Sequence, residues 1–190
     1  MALPDRPMMS VEDYLQLDRS SREARYEYID GVATLLAGGT ADHATICVNL
    51  TSLLHSALRG KECRVYNSDL RVRLSKTRYV YPDLSVSCDP QDRGQTDMLL
   101  SPRLIVEVLS PSTEAYDRGR KFAFYRACPT IQEYVLIDTQ SQAIEVYRRE
   151  KGQGWTLYTF GPENEVVLES INVRLTFAAI YEHTTIAEDG

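Results

Sequence analysis

Hydrophobic positions along the chain change period repeatedly, from the two-residue alternation of half-buried strands to the recurrence every three or four residues of amphipathic helices. Ser10 followed by Val11, Glu12 and Asp13 has the form of a helix N-cap with acids in the first turn, and predicts a short helix to about Asp18. Residues 26–30 read as a strand ending in the Asp30-Gly31 turn, with 32–37 as its hairpin partner. Over 42–59, Ile46, Leu50, Leu53, Leu54 and Leu58 recur at helical spacing until Gly60 stops the run. Strands are predicted at 63–74, 79–88 and 104–109, with the turn-rich 89–102 between the last two. A second helix starts at Thr113 or Glu114 and ends before Pro129, and strands at 134–137, 143–148, 155–160 and 166–168 extend the sheet. The fold class implied is α/β, a mixed twisted sheet flanked by helices. No repeat or long linker interrupts it, so residues 1–190 are expected to form one domain, with 1–9 and 188–190 as loose termini.

One residue breaks the pattern. In the run Leu104-Ile105-Val106-Glu107-Val108-Leu109, Glu107 is the sole polar side chain of a strand that reads as covered on both faces. A buried carboxylate is costly unless a cation or several donors compensate it, so Glu107 calls for a metal or a basic partner; a buried ion pair or a strand-end position reaching water is the alternative. In Tyr79-Val80-Tyr81-Pro82-Asp83-Leu84, Pro82 removes a ladder donor and predicts a local break at which Asp83 can leave the sheet. Strands separated by one connection usually lie side by side, which would bring Asp83 and Glu107 to one point. Two adjacent carboxylates without a compact Cys/His set suit Mg2+ or Mn2+. Asp117, Lys121 and Tyr125 follow at four-residue intervals on the second predicted helix. An exposed Asp117–Lys121 pair is the plain reading, but Phe122, Phe124 and Tyr125 leave little of this helix free for solvent. A lysine packed beside a carboxylate-bound metal is expected to have a depressed pKa suited to accepting a proton.

Composition narrows these possibilities. The 190 residues, 43% hydrophobic and 25% charged, suit one folded domain. No apolar run approaches the roughly 18 residues of a membrane span, and the start is too acidic and too weakly apolar for a secretory signal, so a cytoplasmic location is expected. Cys47, Cys63, Cys88 and Cys128 show no CxxC or Cys/His ligand spacing, and are expected to be buried free thiols in a reducing compartment, with no zinc. The net charge of −6 weighs against a nucleic-acid partner. Two basic clusters offset it locally: Arg64, Arg71, Arg73, Lys76 and Arg78, and then Arg118, Arg120, Lys121 and Arg126.

The segments Tyr26-Glu27-Tyr28-Ile29-Asp30-Gly31, His43, Tyr81-Pro82-Asp83, Ile105 to Thr113 (IVEVLSPST) and Asp117-Arg118-Gly119-Arg120-Lys121 resemble the Uma family of endonucleases, in the PD-(D/E)XK nuclease superfamily. The resemblance covers the chain from about Tyr14 to about Tyr181. The VEVLSPST block carries most of its specificity. The superfamily pattern places a lysine two residues after the second acid, where this chain has Leu109, so the resemblance implies that Lys121 on the following helix supplies the amine. It further implies a restriction-endonuclease-like core and a DNA endonuclease, with Asp83, Glu107 and the Val108 carbonyl as metal ligands, Lys121 as base or charge stabiliser, and Glu27 and His43 flanking the cleft. Asn49, Ser110 and Tyr125 are weaker candidates. A homodimer is expected, because cutting a duplex calls for two sites. Two other readings remain: a catalytically degenerate binding or assembly module with the same fold, favoured by the −6 charge and by Leu109, and a two-carboxylate glycosidase, which leaves Lys121 unexplained.

Overall fold

The computed structural model describes residues 8–187 except Arg22 and Gln153. The loose ends expected at 1–7 and 188–190 lie outside the described residues. Met9 is not loose: its N–H donates to the Gly31 carbonyl at 2.9 Å, and its carbonyl accepts from Tyr28 Oη at 2.7 Å.

The chain opens with α1 (Val11–Ser20), capped by the Ser10 side chain, and the hairpin β1 (Tyr26–Ile29) and β2 (Val32–Leu35), in which Asp30 and Gly31 both adopt positive φ. Next come α2 (Ala41–Ala57), β3 (Arg64–Asn67), β4 (Arg71–Ser75), β5 (Arg78–Val80) and β6 (Leu84–Ser87). β7 (Met98–Leu99) is short, and β8 (Pro102–Val108) is the buried strand anticipated from its apolar run. The second predicted helix is a composite of α3 (Glu114–Tyr116), a π-helical segment Asp117–Lys121 and α4 (Phe122–Ala127). β9 (Glu133–Ile137), β10 (Ile144–Arg149), β11 (Trp155–Phe160), β12 (Glu165–Leu168), β13 (Val173–Thr176) and α5 (Phe177–Ile180) complete the order.

The α/β class holds, and the strands are shared among three sheets. A five-stranded sheet runs β2-β1-β5-β4-β7, a six-stranded sheet runs β11-β10-β9-β8-β6-β3, and β12 pairs with β13. Two strands predicted as single runs are each divided between sheets. The run 63–74 turns after Asn67, and 79–88 breaks at Pro82, whose missing N–H ends the β5 ladder and passes the chain from one sheet to the other. β13 and α5 were not anticipated.

Leu104, Val106 and Val108 of β8 pack with Ile46, Leu50 and Leu54 of α2 in one core, while Ile105 and Leu109 on its other face join Tyr125 and Tyr134 in a second. Between α1 and the five-stranded sheet, the buried Arg71 guanidinium bonds to Asp18 at 2.5 Å and to Asp97, and Arg19 on Asp97 at 2.7 Å supplies the second positive charge.

The expectation of four free thiols fails for one pair. Antiparallel pairing of β3 with β6 sets Arg64 opposite Ser87, so the next residues outward, Cys63 and Cys88, face each other and form a disulfide. That pair gives no support to a reducing compartment. Cys47 and Cys128 are free. Among the described residues, no helix is long and apolar enough to cross a membrane.

Candidate active site

Alternation along β8 puts Glu107 on the face shared by Ile105 and Leu109, beneath the composite helix. The β6–β8 register pairs Leu84 with Val106, and continued by one step it sets Asp83 opposite Glu107. The Val108 N–H donates to Asp83 Oδ2 at 2.7 Å and holds the acid there, just outside the strand. The composite helix then brings Asp117, Lys121 and Tyr125 down on Glu107. The π-helical turn, closed by a bond from the Phe122 N–H to the Asp117 carbonyl, carries both Asp117 and Lys121; insertions of this kind are often found where a side chain must be re-aimed at a site.

Lys121 Nζ donates to Glu107 Oε1 at 3.0 Å and lies 3.3 Å from Glu27 Oε1 and 3.4 Å from Asp117 Oδ1. Tyr125 Oη donates to Glu107 Oε1 at 2.5 Å, and Glu27 Oε1 accepts the Tyr81 N–H at 3.2 Å. Glu27, Glu107, Asp117 and Lys121 are all buried. The buried ion pair weighed as the alternative for Glu107 is thus present, but the charges around it do not balance. Glu27, Asp83, Glu107 and Asp117 face one ammonium and one imidazole. Burial, opposed by Lys121 and reinforced by Asp83, Asp117 and Glu27, pushes the Glu107 carboxyl from 4.5 up to about 8.

The depressed pKa expected of Lys121 concerned a lysine beside a bound metal; its protein surroundings alone act in the other direction. Burial acts to lower it, but Glu107, Glu27 and Asp117 outweigh burial and hold it well above its ordinary value. Among these acids alone, Lys121 is held as an ammonium.

The excess of carboxylate is what a divalent cation would neutralise. Asp117 Oδ1, although within ion-pair distance of Lys121, is a buried oxygen without a hydrogen bond. The donor types suit a hard cation: the β6–β8 register sets Asp83 opposite Glu107, with the Val108 carbonyl at the same strand end.

On the far side of Asp83 lies the N-terminus of α2. The Thr40 side chain caps the helix by accepting from the His43 N–H, and His43 Nε2 sits 3.3 Å from Asp83 Oδ2. The hydrogen bond that His43 donates to the Asp83 carboxylate raises its pKa above its ordinary 6.5 despite burial, with a further contribution from the Val108 backbone. One turn on, Cys47 Sγ lies 3.8 Å from His43 Nδ1; burial, with Asp83 and Glu107 nearby, pushes its thiol up. One ligand atom from each of His43, Cys47 and Asp83 falls within 4.8 Å of the others, a group of metal-ligating side chains.

Gly39 makes the placement of His43 possible. A Cβ there would meet Nδ1 at 2.7 Å and Cγ at 2.8 Å of the His43 ring. Gly39→Ala is therefore expected to push the imidazole off Asp83 and to lower its pKa toward 6.5. A proton NMR titration of the metal-free chain measures this, and an unchanged His43 pKa in the variant would count against the contact.

The structure brings Asp83, Glu107, Val108, Lys121, Glu27 and His43 together. Tyr125, a weaker candidate, reaches Glu107 directly. Asn49 instead donates to the carbonyls of Ile180, the last residue of α5, and Glu182, and Ser110 bonds to the hydroxyls of Ser112 and Thr113, so both have local structural work. Cys47 was missed. Its four-residue spacing from His43 was visible, but the third member, Asp83, comes from a distant link between strands. A cleft lined by Glu27, Ile29, Val32, Thr34, Tyr116 and Arg120 opens beside Glu27.

Residues 11–179 match the Uma2 family model, described as "Putative restriction endonuclease". An uncharacterized Synechocystis protein, slr1290, is 40% identical over 176 residues, covering 92% of this chain and 92% of its own length. A second from the same organism, sll1609, is 32% identical over 167 residues, covering 86% of this chain and 94% of its own. The crystal structure of a "putative nuclease belonging to DUF820" from Anabaena variabilis matches with a TM-score of 0.75 over 91% of this chain and 97% of that one. At 20% identity that likeness shows the fold alone.

Proposed function

The chain belongs to the Uma2 family of restriction-endonuclease-like proteins, and on that premise we propose that it is a Mg2+- or Mn2+-dependent endonuclease that hydrolyses DNA phosphodiester bonds. The observation that carries this reading is the charge imbalance at the end of β8, where four carboxylates converge on Lys121 and His43. Asp83 and Glu107 hold the cation, with the Val108 carbonyl as a third oxygen. A divalent cation held by these residues would supply Lewis-acid activation of the scissile phosphate and of the attacking water. Lys121, kept as an ammonium, stabilises negative charge that builds on the phosphate oxygens. Tyr125 and Lys121 together orient the Glu107 carboxylate, and Glu27 fixes Lys121 from the opposite side. Arg120 at the mouth of the adjoining cleft offers a contact for the phosphate backbone. In the net reaction water adds to phosphorus, the bond to the leaving oxygen breaks, and that oxygen takes up a proton.

This reading includes one domain, a cytoplasmic location with access to DNA, and a homodimer that sets one site against each strand. The degenerate-module alternative rested on the −6 charge and on Leu109 in the lysine's usual place. The 3.0 Å contact of Lys121 with Glu107 removes much of the second argument.

The test is cleavage of plasmid and linear DNA in Mg2+ or Mn2+, with chelator as control. Wild type should cut only with the cation, and Asp83→Asn, which keeps the side chain's size, should not cut. Equal cutting by the variant, or none by wild type with either cation, would overturn the proposal.

A further inference from the structure

We infer that His43, Cys47 and Asp83 form a second, softer ligand set beside the proposed hard-cation site, which takes Zn2+ or a cation of similar softness and competes with Mg2+ for Asp83. The ligand set stands on its own geometry; only the competition rests on the assignment of Asp83 to the hard-cation site.

The placement of the three side chains is the starting point. His43 and Cys47 lie four residues apart on α2 and so share a face, and Asp83 reaches that face from the link between β5 and β6. Ligand atoms at about 2.0–2.3 Å from a tetrahedral zinc lie about 3.3–3.8 Å from one another. The set shows 3.3 Å from His43 Nε2 to Asp83 Oδ2 and 3.8 Å from His43 Nδ1 to Cys47 Sγ. Only one ring nitrogen can bind a given ion, so a turn of the imidazole or the thiol is needed to close the set. The starting separations, all within 4.8 Å, keep that turn small.

Imidazole, thiolate and carboxylate are the donors that zinc accepts, and the thiolate is one that Mg2+ avoids. Three protein ligands leave one position for water. The His43 and Asp83 side chains are 19% and 20% exposed, which provides an entry path. On binding, the Cys47 thiol gives its proton to solvent as the sulfur–metal bond forms. The other cysteines do not compete, because Cys63 and Cys88 are joined and Cys128 lies in the separate core around Tyr125. Asp83 cannot serve both ions fully, so occupancy of the soft set withdraws a ligand from the hard one.

Co2+ titrated into the metal-free chain, without DNA, tests the ligand set. Near-ultraviolet thiolate-to-cobalt charge-transfer absorption should saturate with the chain and disappear when Zn2+ is added. Cys47→Ser and His43→Ala should lose it, Cys128→Ser should keep it, and Asp83→Asn should weaken Co2+ binding by at least about tenfold. Absence of the band from wild type folded by circular dichroism, or its survival in Cys47→Ser, would refute the ligand set. Saturating Mg2+ should weaken Co2+ uptake, and uptake indifferent to Mg2+ would refute the competition. Because no DNA is present, a chain unable to cleave still gives a clear result.

Discussion

Glu107→Gln is expected to reduce cleavage by at least about a hundredfold while leaving the metal-free protein as stable as wild type or more so. The amide oxygen can still accept from Lys121 and Tyr125, so the local hydrogen bonds survive. The variant cannot ionise to the carboxylate that a cation needs and that burial and the neighbouring Asp83, Asp117 and Glu27 disfavour. Protonation gives this a pH signature. Between 4.5 and about 8, folded wild type without metal retains a proton on Glu107 that the unfolded chain has released. Its stability therefore falls as pH rises through that window. In Glu107→Gln that component of the slope should disappear, and so should the rise in melting temperature expected of wild type with Mg2+ or Mn2+. Thermal melts in chelator at several pH values, repeated with cation, make the comparison. A variant that melts well below wild type in chelator, or that keeps its metal-induced rise, would show that Glu107 is a structural acid.

Lys121→Met should have the opposite profile. Removing the ammonium leaves Glu27, Glu107 and Asp117 buried around an apolar side chain, and breaking a buried pair from one side costs about 3–5 kcal/mol. The metal-free variant should be strongly destabilised, and a divalent cation should restore more stability to it than to wild type because it replaces missing positive charge. Activity should stay low even where the cation restores the fold, since charge on the phosphate then lacks its protein partner. Urea unfolding with and without Mn2+ reads out the first effect, and the cleavage assay the second. A midpoint equal to wild type in chelator would mean that Lys121 does not hold these acids together.

The two principal acids were legible in sequence because each violates a local rule: Glu107 interrupts an apolar strand, and Pro82 marks the break that frees Asp83. Their meeting followed from strand order. Lys121 was placed mainly by resemblance, and the number of carboxylates around it could not be read locally because it is a tertiary quantity. Glu27 arrives from β1 in the other sheet, so nothing local indicates that it touches Lys121. The same limit hid the disulfide. Cys63 and Cys88 lack any ligand-like spacing, and only the β3–β6 register sets them opposite each other. β13 and α5 went unread because they are four residues each, too short for either period to declare itself.

The alignment of Asp83 with Glu107 is set by a hydrogen-bonded ladder rather than by the loop that joins their strands, and this shapes how such a chain can vary. Lengthening the connection around Gly94, at a turn with positive φ, leaves the pairing of Leu84 with Val106 and hence the spacing of the two acids untouched. A slip of a single residue between β6 and β8 would instead turn the strand's side chains to the opposite face and separate the pair. On the proposed metal assignment, the ladder acts as a caliper for the cation: the periphery can be rebuilt, while the spacing of the two acids is inherited as a unit.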